Sequence, residues 1–120
     1  MSGFMAVAGF TLALNAQGAT EQCPAVAQIT QTQVAGQPGL VYQAPGGWRF
    51  YNPTAVAADL ERFHFSRARL WKDSVMCDYV TGSSGGARLT RPGKRSAAEG
   101  EWVGEQCFPL RQGPGECRFK

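Results

Sequence analysis

The chain has 120 residues, with 12 Lys and Arg against 9 Asp and Glu, a formal net charge of +3 and one histidine. That length suits a single small domain, and so mild a positive charge is too weak to argue for nucleic acid. It fits an acidic protein or an acidic cell-envelope component as partner, while a lone histidine, His64, closes most hydrolase mechanisms.

The apolar run Phe4 to Leu14 gives way to the small and polar stretch Asn15-Ala16-Gln17-Gly18-Ala19-Thr20, and every charged residue lies beyond it. A short h-region followed by small residues is the pattern of a secretory signal peptide, at roughly half the length a membrane-spanning helix needs. The reading is a signal peptide over residues 1–18, cleaved after Gly18, and a single disulfide-stabilised domain over 19–120. Met1-Ser2-Gly3 lacks the basic residues of a normal n-region, and a buried N-terminal helix is the competing reading. No later segment is long and apolar enough to span a membrane, so no transmembrane segment is expected in the mature chain. The implied location is periplasmic or secreted.

Beyond residue 19, Cys23-Pro24-Ala25-Val26 can open as a helical turn, and Ile29 to Val34 alternates as a strand does. Gly36-Gln37-Pro38-Gly39 is a turn, Leu40-Val41-Tyr42 a short strand, and Trp48-Arg49-Phe50-Tyr51 a compact aromatic one. Thr54 can cap a short helix over Ala55 to Arg62, the one good helical window of the mature chain.

A hairpin follows. With Lys72-Asp73 as a two-residue turn, Trp71 faces Ser74, Leu70 faces Val75, Arg69 faces Met76, Ala68 faces Cys77 and Arg67 faces Asp78. Continued in register, Ser66 faces Tyr79 and Phe65 faces Val80. This assigns Leu70, Val75, Ala68, Cys77, Ser66 and Tyr79 to the core. Phe65, Trp71, Val80 and the opposite-charge pair Arg67–Asp78 fall on the other face. Thr81 to Gly86 is a glycine-serine tip, Ala87 to Thr90 a strand, and Arg91 to Gly100 an exposed loop without apolar period. Glu101 to Phe108 returns to strand, Arg111 to Gly115 turns, and Glu116 to Phe119 closes the chain.

The four cysteines, Cys23, Cys77, Cys107 and Cys117, have neither the close pairs of a zinc site nor a redox Cys-x-x-Cys. In an exported chain they read as two disulfides, with no metal or cofactor implied. Three pairings are possible. Cys107–Cys117 with Cys23–Cys77 is favoured, because it staples the terminal hairpin. Cys77–Cys107 with Cys23–Cys117 is the alternative.

The candidate binding residues are cationic. Arg88, Arg91, Lys94 and Arg95 cluster in a Gly/Pro-punctuated segment that could clamp a carboxylate or phosphate, or could simply be a solvated loop. Arg67, Arg69 and Trp71 would stand on the exposed hairpin face, and Trp and Arg are common interface anchors. No nucleophile elbow or placed carboxylate pair marks a catalytic centre. His64 falls at a fraying strand start, so no catalytic residue is assigned.

Cys23-Pro24, Gly47-Trp48, Phe65-x-x-Ala68, Cys77-x-Tyr79 and the two late cysteines resemble a family of small exported bacterial disulfide proteins with no assigned activity. The resemblance spans nearly the whole mature chain and implies the disulfide framework and the hairpin. Ser83-Ser84-Gly85-Gly86 is loosely similar to the Ser/Gly-bearing loop with which periplasmic lysozyme inhibitors plug an active site. Ala87-Arg88 stand here where those inhibitors carry a tyrosine.

The sequence thus predicts an α+β, mainly β fold: an antiparallel sheet of about five to six short strands, one short helix and two disulfides. The expected function is non-enzymatic binding, with an inhibitor or immunity protein against an envelope-acting enzyme as its sharpest form. A small cell-wall hydrolase and a structural envelope component are the alternatives.

Overall fold

The computed structural model describes residues 19–83, 85–111 and 113–120. The expected signal peptide over 1–18 lies outside the described residues, as do Ser84 of the glycine-serine tip and Gln112. The described chain forms ten short strands: β1 (Thr30–Thr32), β2 (Leu40–Ala44), β3 (Trp48–Asn52), β4 (His64–Leu70), β5 (Ser74–Val80), β6 (Ala87–Pro92), β7 (Ala97–Gly100), β8 (Trp102–Val103), β9 (Gln106–Cys107) and β10 (Cys117–Phe119). Eight of them make one antiparallel sheet in the order β1-β2-β3-β6-β5-β4-β9-β8, and β7 pairs with β10 separately.

The helix expected over Ala55 to Arg62 is instead a 3₁₀ segment, Ala57–Arg62, and the other two helical pieces are three-residue 3₁₀ turns. Six residues are too few to sustain an α-helix without packing on one face. Asp59 fixes the tighter turn by accepting the Val56 N–H at 3.0 Å and pairing with Arg62 at 3.0 Å. The fold is therefore mainly antiparallel β, and the α+β description does not hold. Among the described residues no helix is long and apolar enough to cross a membrane.

The β4–β5 hairpin keeps the expected register from Leu70–Val75 through Arg67–Asp78, with Trp71 N–H donating to Ser74 O at 2.9 Å across the turn. There it departs. Ser66 is bulged, so Phe65 pairs with Tyr79 and His64 with Val80. One extra residue turns the alternation over. Phe65 enters the core, 2% exposed, whereas strict register would have put it outside.

The bulge completes an aromatic cluster. Phe63 stacks on Tyr79 with ring centres 6.0 Å apart, and Tyr42 and Phe65 tilt against it. Trp48 meets Phe119 edge-on at 6.5 Å, while Leu89, Val75 and Ala68 fill the space between. Such ring pairs add about 0.5–1.5 kcal/mol each beyond the area they bury.

Both disulfides have the favoured pairing, Cys23–Cys77 and Cys107–Cys117. The first ties the N-terminal segment to the centre of the sheet. Tyr79, two residues beyond Cys77, supports it by donating its buried hydroxyl to Pro24 O.

The segment expected as an exposed loop, Arg91 to Gly100, is largely strand. β6 runs on to Pro92, and β7 is held by the chain end through β10 and by paired Ser96–Lys120 backbone bonds. Its partner lies far along the sequence and is positioned by the Cys107–Cys117 bridge, so local apolar periodicity carries no trace of it. Gly100, at φ +120°, lets the two chains approach where a Cβ would strike Glu116 O. The single strand expected over Glu101 to Phe108 is two, β8 and β9, folded at Gly104-Glu105.

Candidate functional site

Strand alternation sorts β4, β5 and β6 into two faces. Val75, Cys77, Tyr79, Ala68, Leu70, Ala87 and Leu89 point inward and are buried. The opposite face carries side chains in cross-strand rows. Arg88, Asp78 and Arg67 stand in direct register on β6, β5 and β4. Beside them Arg49, Thr90, Met76, Arg69 and Gln106 form the next row, from β3 to β9.

The geometry is that of one carboxylate shared by three guanidiniums. Asp78 Oδ2 accepts from Arg67 Nε at 2.9 Å and lies 2.8 Å from Arg67 Nη2. Asp78 Oδ1 accepts from Arg88 Nε at 2.9 Å. Arg69 Nε sits 3.5 Å from Oδ2, within ion-pair range but without a hydrogen bond, and is itself buried. Three positive charges around one negative leave this cluster, which spans the two rows, two charges in excess. Burial lowers the Arg69 pKa most; Asp78 opposes that shift, and the like charges of Arg88 and Arg67 add to it. A guanidinium stays charged through such a shift, so the strain is electrostatic and an added anion would relieve it.

Apolar surface frames the charge. Arg67 lies over the Phe108 ring, 5.8 Å from its centre, and gives Nη1 to Gln106 Oε1 at 3.0 Å. Phe108, 51% exposed, stands at the edge of the cluster. A cavity of about 360 Å³, broadly open to solvent, lies beside Arg67, Asp78 and Arg88, and its remaining walls include Phe50, Val80, Gly86 and Ala87. On the other side of Arg69, a recess of about 330 Å³ is walled by Trp71, Val103 and Glu105.

The expected binding residues therefore separate into two groups. Arg67, Arg69 and Arg88 come together on one face, and Trp71, 56% exposed, borders the adjoining recess. Arg91 and Arg95 do not join them. Both grip Glu21, at 2.7 and 2.8 Å, and Arg91 also lies over Trp48. Lys94 is exposed between them. Arg91 and Arg95 hold the N-terminal segment against the end of β6.

Sequence reasoning missed Phe108, Gln106, Arg49 and Phe50, and read Asp78 as the partner of Arg67 alone. The β5–β6 register supplies Arg88 as the second partner. Counting back from the Gly-rich tip, with Tyr79 opposite Ala87, would have found it. His64 is exposed at the start of β4, and among the described residues no group of three or more His, Cys, Asp or Glu could hold a metal.

Compared with known proteins, the chain matches no family model, no curated protein and no solved structure.

Proposed function

We propose that this is an exported, disulfide-locked, non-enzymatic binding protein whose arginine face captures an acidic partner. Its sharpest form is an inhibitor or immunity protein that blocks an envelope-acting enzyme. One observation carries the reading: Arg67, Arg69 and Arg88 share a single carboxylate on the outer face of the sheet. Strand ladders already hold β4, β5 and β6 together, so the fold does not need three arginines there. Paired guanidiniums flanked by exposed Phe108 and Trp71 match the charge and the aromatic anchors of protein interfaces. The two disulfides fit an oxidising compartment.

The test is capture from envelope and secreted fractions by the immobilised oxidised protein, beside an R67Q/R69Q/R88Q variant verified as folded at the assay temperature. One partner retained at near-equal stoichiometry by the native protein, and lost by the variant, supports the reading. Equal retention by both removes the arginine face from the function.

A further inference from the structure

We propose that the cavity beside Arg88 takes the apolar group of a ligand that ends in a carboxylate, with that carboxylate on the outer edge of the Arg88 guanidinium. The inference deepens the proposed function and rests on it, since it names what the arginine face recognises.

Three observations converge. Arg88 spends only Nε on Asp78; its two Nη groups have no hydrogen-bond partner among the described residues, and its side chain is 49% exposed. A guanidinium presents donors in a fork that matches a carboxylate, so an Arg with one edge anchored and the other open is oriented in advance. The cavity that Arg88 lines also has apolar walls, from Val80, Phe50 and the backbone of Gly86 and Ala87. At about 360 Å³ the space stands near the lower end of ligand cavities, roughly 300–1,000 Å³, which suits one aromatic or branched aliphatic group rather than an extended chain.

The structure also explains why the cavity exists. β3 and β6 share a single paired position, Arg49–Thr90, whereas β5 and β6 share six. Beyond that position the seam between β3 and β6 is bridged by Asn52 Nδ2 donating to Gly86 O at 3.0 Å. Gly86 has no room for a Cβ, which would strike Tyr79 O, so the backbone here is fixed in place. The Ser66 bulge lies on the opposite wall.

The carboxylate-terminated apolar group could be the last residue of a partner protein or a free small acid. Amide NMR shifts of Val80, Gly86, Ala87 and Arg88 would follow titration with N-acetyl-L-phenylalanine, its uncharged amide, acetate and inorganic phosphate. The proposal expects saturable shifts with the acid. It expects about tenfold weaker binding for the amide and for R88Q, the size of a lost charge-assisted hydrogen bond, and a similar loss for acetate. V80F, at a position 44% exposed and so tolerant of size, would fill the mouth and abolish binding of the acid. A heptapeptide ending in phenylalanine that binds more tightly than the acid identifies a chain terminus as the source; equal affinity identifies a free acid. Binding of the amide or of phosphate as tight as that of the acid overturns the proposal, as does an acid that produces no shifts. If V80F leaves capture of the acid unchanged while R67Q/R69Q/R88Q still loses the envelope partner, the cavity inference fails and the arginine face stands.

Discussion

Two arginine–carboxylate clusters in this protein use the same chemistry for different ends. At the first, Arg91 and Arg95 converge on Glu21 across 70 and 74 positions of sequence. Glu21 also forms a backbone bridge with Phe119, and Cys23 lies two residues on. That cluster adds to the disulfide and backbone ties that hold the N-terminal segment, and its charges are committed to closing the fold. At the second, Arg67, Arg69 and Arg88 surround Asp78 on three strands already paired by their backbones. There the cations outnumber the carboxylate by two, and among the described residues no second carboxylate pairs with them. An ion pair's sequence separation and charge balance, more than its length, distinguish a structural cluster from a binding one.

The hardest way to break the comparison is to release the N-terminal segment. C23S/C77S opens a bridge spanning 54 positions and should cost about 4 kcal/mol of stability in chemical denaturation, against about 3 for the bridge spanning 10. In the fraction that stays folded, the Glu21 cluster should loosen while anion binding at Arg88 survives.

D78N sharpens the contrast, because stability and binding should fall together, whereas the Glu21 cluster bears on stability alone. Three guanidiniums would lose their carboxylate, costing about 2 kcal/mol, less than a fully buried pair because Arg88 is half exposed. Affinity for N-acetyl-L-phenylalanine should fall about threefold, because Arg88 loses the Nε anchor that orients its open edge. A variant that loses stability but binds the acid more tightly would show Asp78 to be a competing anion rather than an anchor.

E21Q should act on the fold alone, costing about 1 kcal/mol because Glu21 and its partners are only partly buried. Its anion affinity should equal that of the native protein.

The mildest perturbation concerns a carboxylate held without a dominant arginine. Glu116 accepts from the backbone N–H groups of Gly113, Leu110 and Arg111, and these bonds, Gly113 foremost, hold its pKa below the ordinary 4.5. A folded-state pKa below the unfolded one means the contribution to stability is complete above the ordinary value and disappears as pH falls through the folded value. Thermal unfolding of E116Q should therefore lie below that of the native protein at neutral pH, and the two curves should converge in acid.

The legible parts of the molecule were those set by local pattern. Alternation from Arg67 to Asp78 gave the hairpin register, and cysteine placement narrowed the disulfides to two pairings, of which the favoured one is present. The bulge at Ser66 was not legible, because Phe65 reads equally well on either face until Phe63, Tyr42 and Tyr79 are packed around it. β7 was hidden for a different reason: its pairing partner is the chain end, and Ala97 to Gly100 carries no apolar alternation. At the site, composition identified the right kind of side chain but not its partner. Arg88 and Arg91 are near neighbours in sequence and lie on the same strand, yet alternation sends them to opposite faces. Only the partner strand decides that one meets Asp78 and the other Glu21.

The most direct measurement compares two charge-matched variants, R67Q/R88Q and R91Q/R95Q, in the same titration with N-acetyl-L-phenylalanine. Each removes two positive charges, so any general attraction for anions falls equally. The account predicts a loss of about tenfold or more for R67Q/R88Q, and less than about twofold for R91Q/R95Q. Equal losses would contradict it, and would mean that net charge rather than the arginine face binds the anion.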